Sequence, residues 1–327
     1  LTHLMAHNLL HSQNTFDLPH GILRINVGIQ SNSRREDEGG GQISLNMHLL
    51  SILQNLRWEN KTIGKWNWVL NEQLSILNNT NYGGRIIIPD ANMMEGNVSV
   101  YMKHVSQALI IETGTGINWK EIQTMATRSL NGPGQRIQPF TINRETMNAM
   151  LGLVWNAGDN LMLKSNLSSG FRAPNLAELS SNGVHEGVYR YEIGNPNLKV
   201  EQNLNADLNL EYRHQALFMS ASVYANRFFH YIYLSGSNDT WLGFPVFYFK
   251  QDNAWLYGSE WQGSLKPTSW GGLEWKELFS FTRGLRTDKQ NLPFIPAPHL
   301  KNALRYERKH LGKMDGVFAE AELQYVM

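Results

Sequence analysis

The stretch Leu204 to Arg213, LNADLNLEYR, places an apolar residue at every second position. Leu204, Ala206, Leu208, Leu210 and Tyr212 fall on one side; Asn205, Asp207, Asn209, Glu211 and Arg213 fall on the other. Successive side chains of a strand point to opposite faces, so this spacing predicts a strand with one oily and one fully polar face. The rhythm recurs in Leu23, Ile25, Val27 and Ile29 against Arg24, Asn26, Gly28 and Gln30. It returns in Trp66, Trp68, Leu70, Leu74 and Ile76 against Lys65, Asn67, Asn71, Gln73 and Ser75. Leu109, Ile111, Thr113, Thr115, Ile117 and Trp119 oppose Glu112, Gly114, Gly116 and Asn118, and Val317, Ala319, Ala321, Leu323 and Tyr325 oppose Glu320, Glu322 and Gln324. Helical periodicity is nearly absent. The chain reads as all-β.

The connections sharpen this. Short turns are expected at Trp155–Asn160, Tyr212–Gln215, Lys266–Gly272 and around Lys309–Gly316. Longer irregular segments are expected at Arg34–Gly41, Asn78–Gly96, Lys120–Arg144, Phe171–Lys199, Leu234–Pro245 and Arg283–Pro298. Alternation of tight and roomy connections between antiparallel strands is the layout of a transmembrane β-barrel with short periplasmic turns and long extracellular loops. About fourteen strands are expected, many longer than the ~10 residues that cross a tilted bilayer. The polar face would then line a lumen. A soluble sandwich also alternates oily and wet faces, but it does not usually gather its long loops at one end. A propeller would show a blade repeat of ~40–50 residues, and none is found.

Composition narrows the function. Lys plus Arg is 29 and Asp plus Glu is 28, a net charge of +1. That balance argues against nucleic acid as a partner, since such binding rests on phosphate neutralisation. Cys is absent, which removes disulfides and thiolate metal sites. No run approaches the ~18 apolar residues of a membrane helix. The 10 Trp and 12 Tyr suit rings at a membrane boundary, and Trp66, Trp68, Trp155, Trp241, Trp255 and Trp261 are read as such a belt. Gly114 and Gly116 lack the third glycine and following helix of a dinucleotide motif, so no cofactor is expected. No nucleophile elbow, Walker loop or helical zinc pair occurs, so the chain is not read as an enzyme.

The segment Phe171–Lys199 carries the sharpest signal. Gly170, Phe171, Arg172, Ala173 and Pro174 precede the pair Glu178–Leu179; Gly194, Asn195, Pro196, Leu198 and Glu201 then open the next strand. This run resembles the C-terminal barrel motif of TonB-dependent outer-membrane receptors. INVGIQSNSRRE and IIIPDANMMEGNVSVY look like barrel strands of the same family in Bacteroidetes-type bacteria. The resemblance implies a barrel of about twenty-two strands in the outer membrane of a Gram-negative cell, filled by a plug domain. Against that pattern, residues 1–327 are expected to be one barrel domain, incomplete at both ends and without plug or TonB box. It also implies three partners: outer-membrane lipid, TonB acting through the missing plug and box region, and a small-molecule or metal-complex ligand. The implied function is energised uptake of a scarce nutrient, such as an iron complex or siderophore, haem or zinc.

Within the loop, His185, Glu186, Arg190, Tyr191 and Glu192 are the candidate ligand contacts, because Arg suits anionic chelates and His suits metal. Zinc-acquiring members of the family have a similar loop with a His at this place, so the resemblance makes His185 the candidate metal contact. The same residues also fit loop-to-loop hydrogen bonding. Arg172 and Glu178 are expected to brace the loop, and Pro174 and Pro196 to stiffen its turns. His3, His7 and His11 share one face, but on a strand they lie ~13 Å apart per step, too far for one ion. A passive substrate-selective porin and a soluble β-rich binding module remain open as alternatives.

Overall fold

The computed structural model describes residues 2–37, 41–61, 65–126, 138–185 and 188–327. Eight strands come first: β1 (Thr2–Leu18), β2 (Gly21–Asp37), β3 (Ile43–Asn60), β4 (Trp66–Asn81), β5 (Ala91–Val105), β6 (Leu109–Thr124), β7 (Thr141–Asn156) and β8 (Leu161–Arg172). A helix, α1 (Leu176–Ser180), and two short strands, β9 (Asn182–His185) and β10 (Arg190–Ile193), follow. The remaining strands are β11 (Glu201–His214), β12 (Leu217–Trp241), β13 (Phe244–Leu265), β14 (Leu273–Arg286), β15 (His299–Leu311) and β16 (Met314–Val326). Apart from β9 and β10, fourteen strands follow in chain order through one antiparallel sheet, β8 passing directly to β11. Among the described residues β1 pairs with β2 alone and β16 with β15 alone, so the sheet is open. The all-β, barrel-type fold read from the alternation is the one observed.

Register explains the two faces. Leu208 lies beside Val223, Val98 beside Ile117 and Ile117 beside Met147, so apolar side chains join into outward rows. The opposite face is a lattice of amides, hydroxyls and charges. Asn166 donates to Asp207 Oδ2 at 3.0 Å, Asn118 to Asn148 Oδ1 at 3.1 Å, and Lys103 pairs with Glu112 at 2.9 Å. Glu72 is an exception. It falls between Leu56 and Val98 on the oily side, where it accepts from Gln54 Nε2 at 3.3 Å.

One expected loop is a strand. Leu234–Pro245 does not form an irregular connection: β12 and β13 run on to Trp241 and Phe244, joined by the two-residue turn Leu242–Gly243. Both turn residues have positive φ, 47° and 84°, the backbone that matches the twist of a tight hairpin. Ser235–Asp239 read as loop because a strand standing clear of the membrane has no need of an oily face. Trp241 accordingly leaves the proposed belt and packs against Tyr191 in a tilted pair, ring centres 5.0 Å apart. Trp66, Trp68, Trp155 and Trp255 are exposed on the strands.

Among the described residues, the one buried hydrophobic cluster lies at the long-connection end. Leu176 and Leu179 of α1, with Leu198, pack against Ala91, Ile122, Ile142 and Ile232. Ile122 and Ile142 alternate with Glu121 and Asn143 and share a face with Lys120 and Arg144. The loop between β8 and β11 is therefore folded onto the polar face, into the mouth of the lumen.

Candidate functional site

The mouth is organised by Arg172 at the top of β8. Its Nη1 donates to both Glu178 oxygens at 2.8 Å, and its Nη2 to Glu201 Oε2 at 3.1 Å. Glu201 Oε2 also accepts the backbone N–H of Ile232 at 2.7 Å. Both carboxylates are 8 % exposed, and a buried carboxylate is tolerable only when paired and hydrogen-bonded. α1 starts at a reciprocal cap: Asn175 Oδ1 accepts Glu178 N–H and Glu178 Oε2 accepts Asn175 N–H, each at 2.8 Å. Such a cap satisfies two otherwise orphaned donors of a very short helix.

The rest of the motif turns the chain back. Asn195 N–H donates to Glu178 O at 2.8 Å and Gly194 N–H to Ser181 O at 2.7 Å. A Cβ on Gly194 would lie 2.5 Å from the Ser180 nitrogen, so this backbone-on-backbone contact needs glycine. Pro174 and Leu198 are fully buried, Leu179 beside them in the cluster, while Pro196 sits in the Asn195–Asn197 turn. Phe171 and Ala173 line the recess described below, with Gly170 just beneath them on β8.

The candidate contacts divide. His185 Nδ1 lies 3.2 Å from Glu192 Oε1, and Arg190 Nε donates to that same oxygen at 2.6 Å. Arg190 also lies over the Phe247 ring, 5.5 Å from its centre. Tyr191 is 1 % exposed, donates to Asn182 Oδ1 at 2.8 Å, and has its phenol pushed up to about 12 by burial. Glu192 is likewise buried. Glu186 lies outside the described residues. Thus His185, Arg190 and Glu192 converge, while Tyr191 is committed to the wall. Among the described residues no group of three His, Asp or Glu side chains could hold a metal. His3 of the β1 row meets Glu36 at 3.2 Å.

The loop is fixed mainly through backbone. β10 pairs parallel with β13, Tyr191 to Ile193 beside Val246 to Tyr248, and antiparallel with β9. Asn182 N–H continues the line to Ile87 O at 3.1 Å. Gln251 clasps the exit, donating to Lys199 O at 2.6 Å and accepting Lys199 N–H at 2.8 Å.

Beneath the Arg172 brace is a recess of about 330 Å³ whose lining includes Gln73, Glu95, Asn118, Lys120, Arg144 and Arg172. Lys120 is held by Glu95 at 3.0 Å. Arg144 faces Lys120 across the ladder and donates only to the backbone carbonyl of Asn143, with no carboxylate partner among the described residues. Arg172 spends its charge on Glu178 and Glu201. A free cation remains on the lumen wall. Sequence reading passed over Arg144, because its meaning depends on the register of β6 and β7, which sets Lys120 beside it.

The family model described as TonB dependent receptor-like, beta-barrel, matches residues 111–326. Among solved structures, the copper transporter OprC superposes with a TM-score of 0.71 at 14 % identity, over 93 % of this chain and 50 % of that one. The FrpB iron transporter from Neisseria meningitidis, F5-1 variant, gives 0.69 at 11 % identity over 98 % and 51 %. The ferric yersiniabactin uptake receptor FyuA from Yersinia pestis gives 0.54 at 13 % identity over 94 % and 48 %. The chain spans about half the length of these structures. With two thirds of its residues inside the matched segment, the chain belongs to the TonB-dependent receptor β-barrel family of the Gram-negative outer membrane.

Proposed function

We propose that this chain forms the wall and outer mouth of an energised importer whose cargo is an anionic complex of iron or a comparably scarce metal. Arg144 carries the reading: a guanidinium without a carboxylate partner, in a roomy recess under the folded loop. Guanidinium groups suit carboxylate and other planar anionic donors, which they grip with paired N–H bonds. His185, half-exposed beside Glu192 and Arg190, would be a second contact for such a complex. The names of the solved neighbours, transporters of copper and iron and a ferric yersiniabactin receptor, support a metal cargo. TonB would act through a plug, as the family implies, and the cargo passes unchanged.

The test is titration of the full-length protein with ferric dicitrate, haem and Zn²⁺, followed by tryptophan fluorescence. Arg144→Gln is expected to weaken ferric dicitrate binding about tenfold, the loss of roughly one charge-assisted hydrogen bond, and to leave Zn²⁺ untouched. Unchanged ferric affinity would remove the recess from the site. Loss of Zn²⁺ binding in His185→Ala would instead identify a bare ion as cargo. Uptake that persists after the inner membrane is de-energised would mark a passive pore.

A further inference from the structure

On the oily face, where the tallest hairpin leaves the apolar band on its way up, two arginines point into the space that lipid occupies. Arg227 of β12 pairs across the ladder with Trp255 of β13, and Tyr257, two residues along β13, pairs with Arg283 of β14. The Arg227 guanidinium lies 5.1 Å from the Trp255 ring centre and 5.6 Å from that of Phe229. The neighbours of Arg283 establish its direction. Thr282 bonds Tyr224 Oη on the inner face at 2.7 Å, and Gly284 is covered by Leu292 and Ile295, so Arg283 between them faces outward, where it is exposed.

Neither arginine has a carboxylate partner among the described residues. Their depth follows from register. Arg283 stands eight residues above Trp275, and Arg227 ten above Leu217. At ~3.3 Å per residue and a tilt of ~40°, both lie roughly 20–25 Å above the short-turn end. The apolar band is ~25 Å tall, so both heads sit at its outer rim. Across β13, two strand spacings and two residues along, they are ~12 Å apart, with Trp255 and Tyr257 between them and Val223, Phe281 and Trp261 below on the same face.

We propose that Arg227 and Arg283, framed by Trp255 and Tyr257, bind the phosphate headgroup of an outer-leaflet lipid. Two cations held at headgroup depth with no internal anion require an external one, and the apolar rows beneath them accept its acyl chains. A lone arginine would merely extend its head to the interface; a pair flanking two rings makes a seat for a phosphate. The site is on the opposite face from the cargo recess and stands or falls separately from it.

Native mass spectrometry of the full-length protein tests this, using phosphatidic acid and phosphatidylcholine with the same acyl chains. Preferential retention of phosphatidic acid is expected. Arg227→Gln with Arg283→Gln should reduce that retention roughly 25-fold, at about 1 kcal/mol per arginine near the surface. Arg227→Lys with Arg283→Lys should restore most of it. Equal retention of the two lipids by the unaltered protein overturns the proposal without any variant, as does undiminished retention in the glutamine variant. Displacement of the lipid by inorganic phosphate alone would reassign the site to the free anion.

Discussion

Glu201 ties the top of β8 to β12 across the mouth. One of its oxygens takes both Arg172 and the Ile232 amide, so removing it leaves Arg172 with Glu178 alone and a buried N–H without its acceptor. Glu201→Ala is expected to loosen the loop between β8 and β11 by about 2 kcal/mol, the cost of a buried N–H left without an acceptor, read as faster cleavage by added protease or faster amide exchange in that loop. Glu201→Gln, which keeps an acceptor oxygen, should recover part of the protection. A loop no easier to cut in Glu201→Ala would mean that the Gln251 clasp and the β10 ladder hold it alone. The motif residues thus act as a frame, while Arg144 and His185 are the groups left with capacity for something else. The motif named Arg172, Glu178 and Glu201 from sequence because they are close along the chain. Arg144 and Gln251 were silent because their meaning depends on cross-strand neighbours.

At the level of elements, alternation was enough to place fourteen strands, because lipid on one side and water on the other enforce a strict two-residue period. Where that pressure ends, so does the signal. β12 and β13 continue above the membrane with Ser, Gly, Asn and Asp that read as loop, and the short β9, β10 and α1 are fixed by docking rather than by pattern. The docking is testable. A Cβ on Gly183 would lie 3.4 Å from Ile87 Cα and 3.7 Å from its Cγ1, so the two positions are direct neighbours, and the chain has no competing Cys. Ile87→Cys with Gly183→Cys should therefore crosslink under oxidation. If the loop must swing aside to admit cargo, uptake by the full-length protein stops when oxidised and returns on reduction. Uptake indifferent to the crosslink would show that cargo enters past a fixed loop.

For the whole molecule, the open sheet decides behaviour. The outer edges of β1 and β16 have no pairing partner among the described residues, and hydrocarbon does not tolerate unpaired backbone donors and acceptors. Residues 1–327 expressed alone are expected to aggregate in detergent and to lack the heat-modifiable gel mobility of a closed barrel, whereas the full-length protein should show it. A stable, heat-modifiable product from this stretch alone would imply that β1 and β16 meet. The way the mouth is fastened has a further consequence. β13, β10, β9 and Ile87 are joined by amide-to-carbonyl bonds, and such bonds are blind to side-chain identity. An outward side chain such as Val188 is thereby released from holding the architecture. The outward surface can thus change its side chains while the doorway behind it keeps its shape.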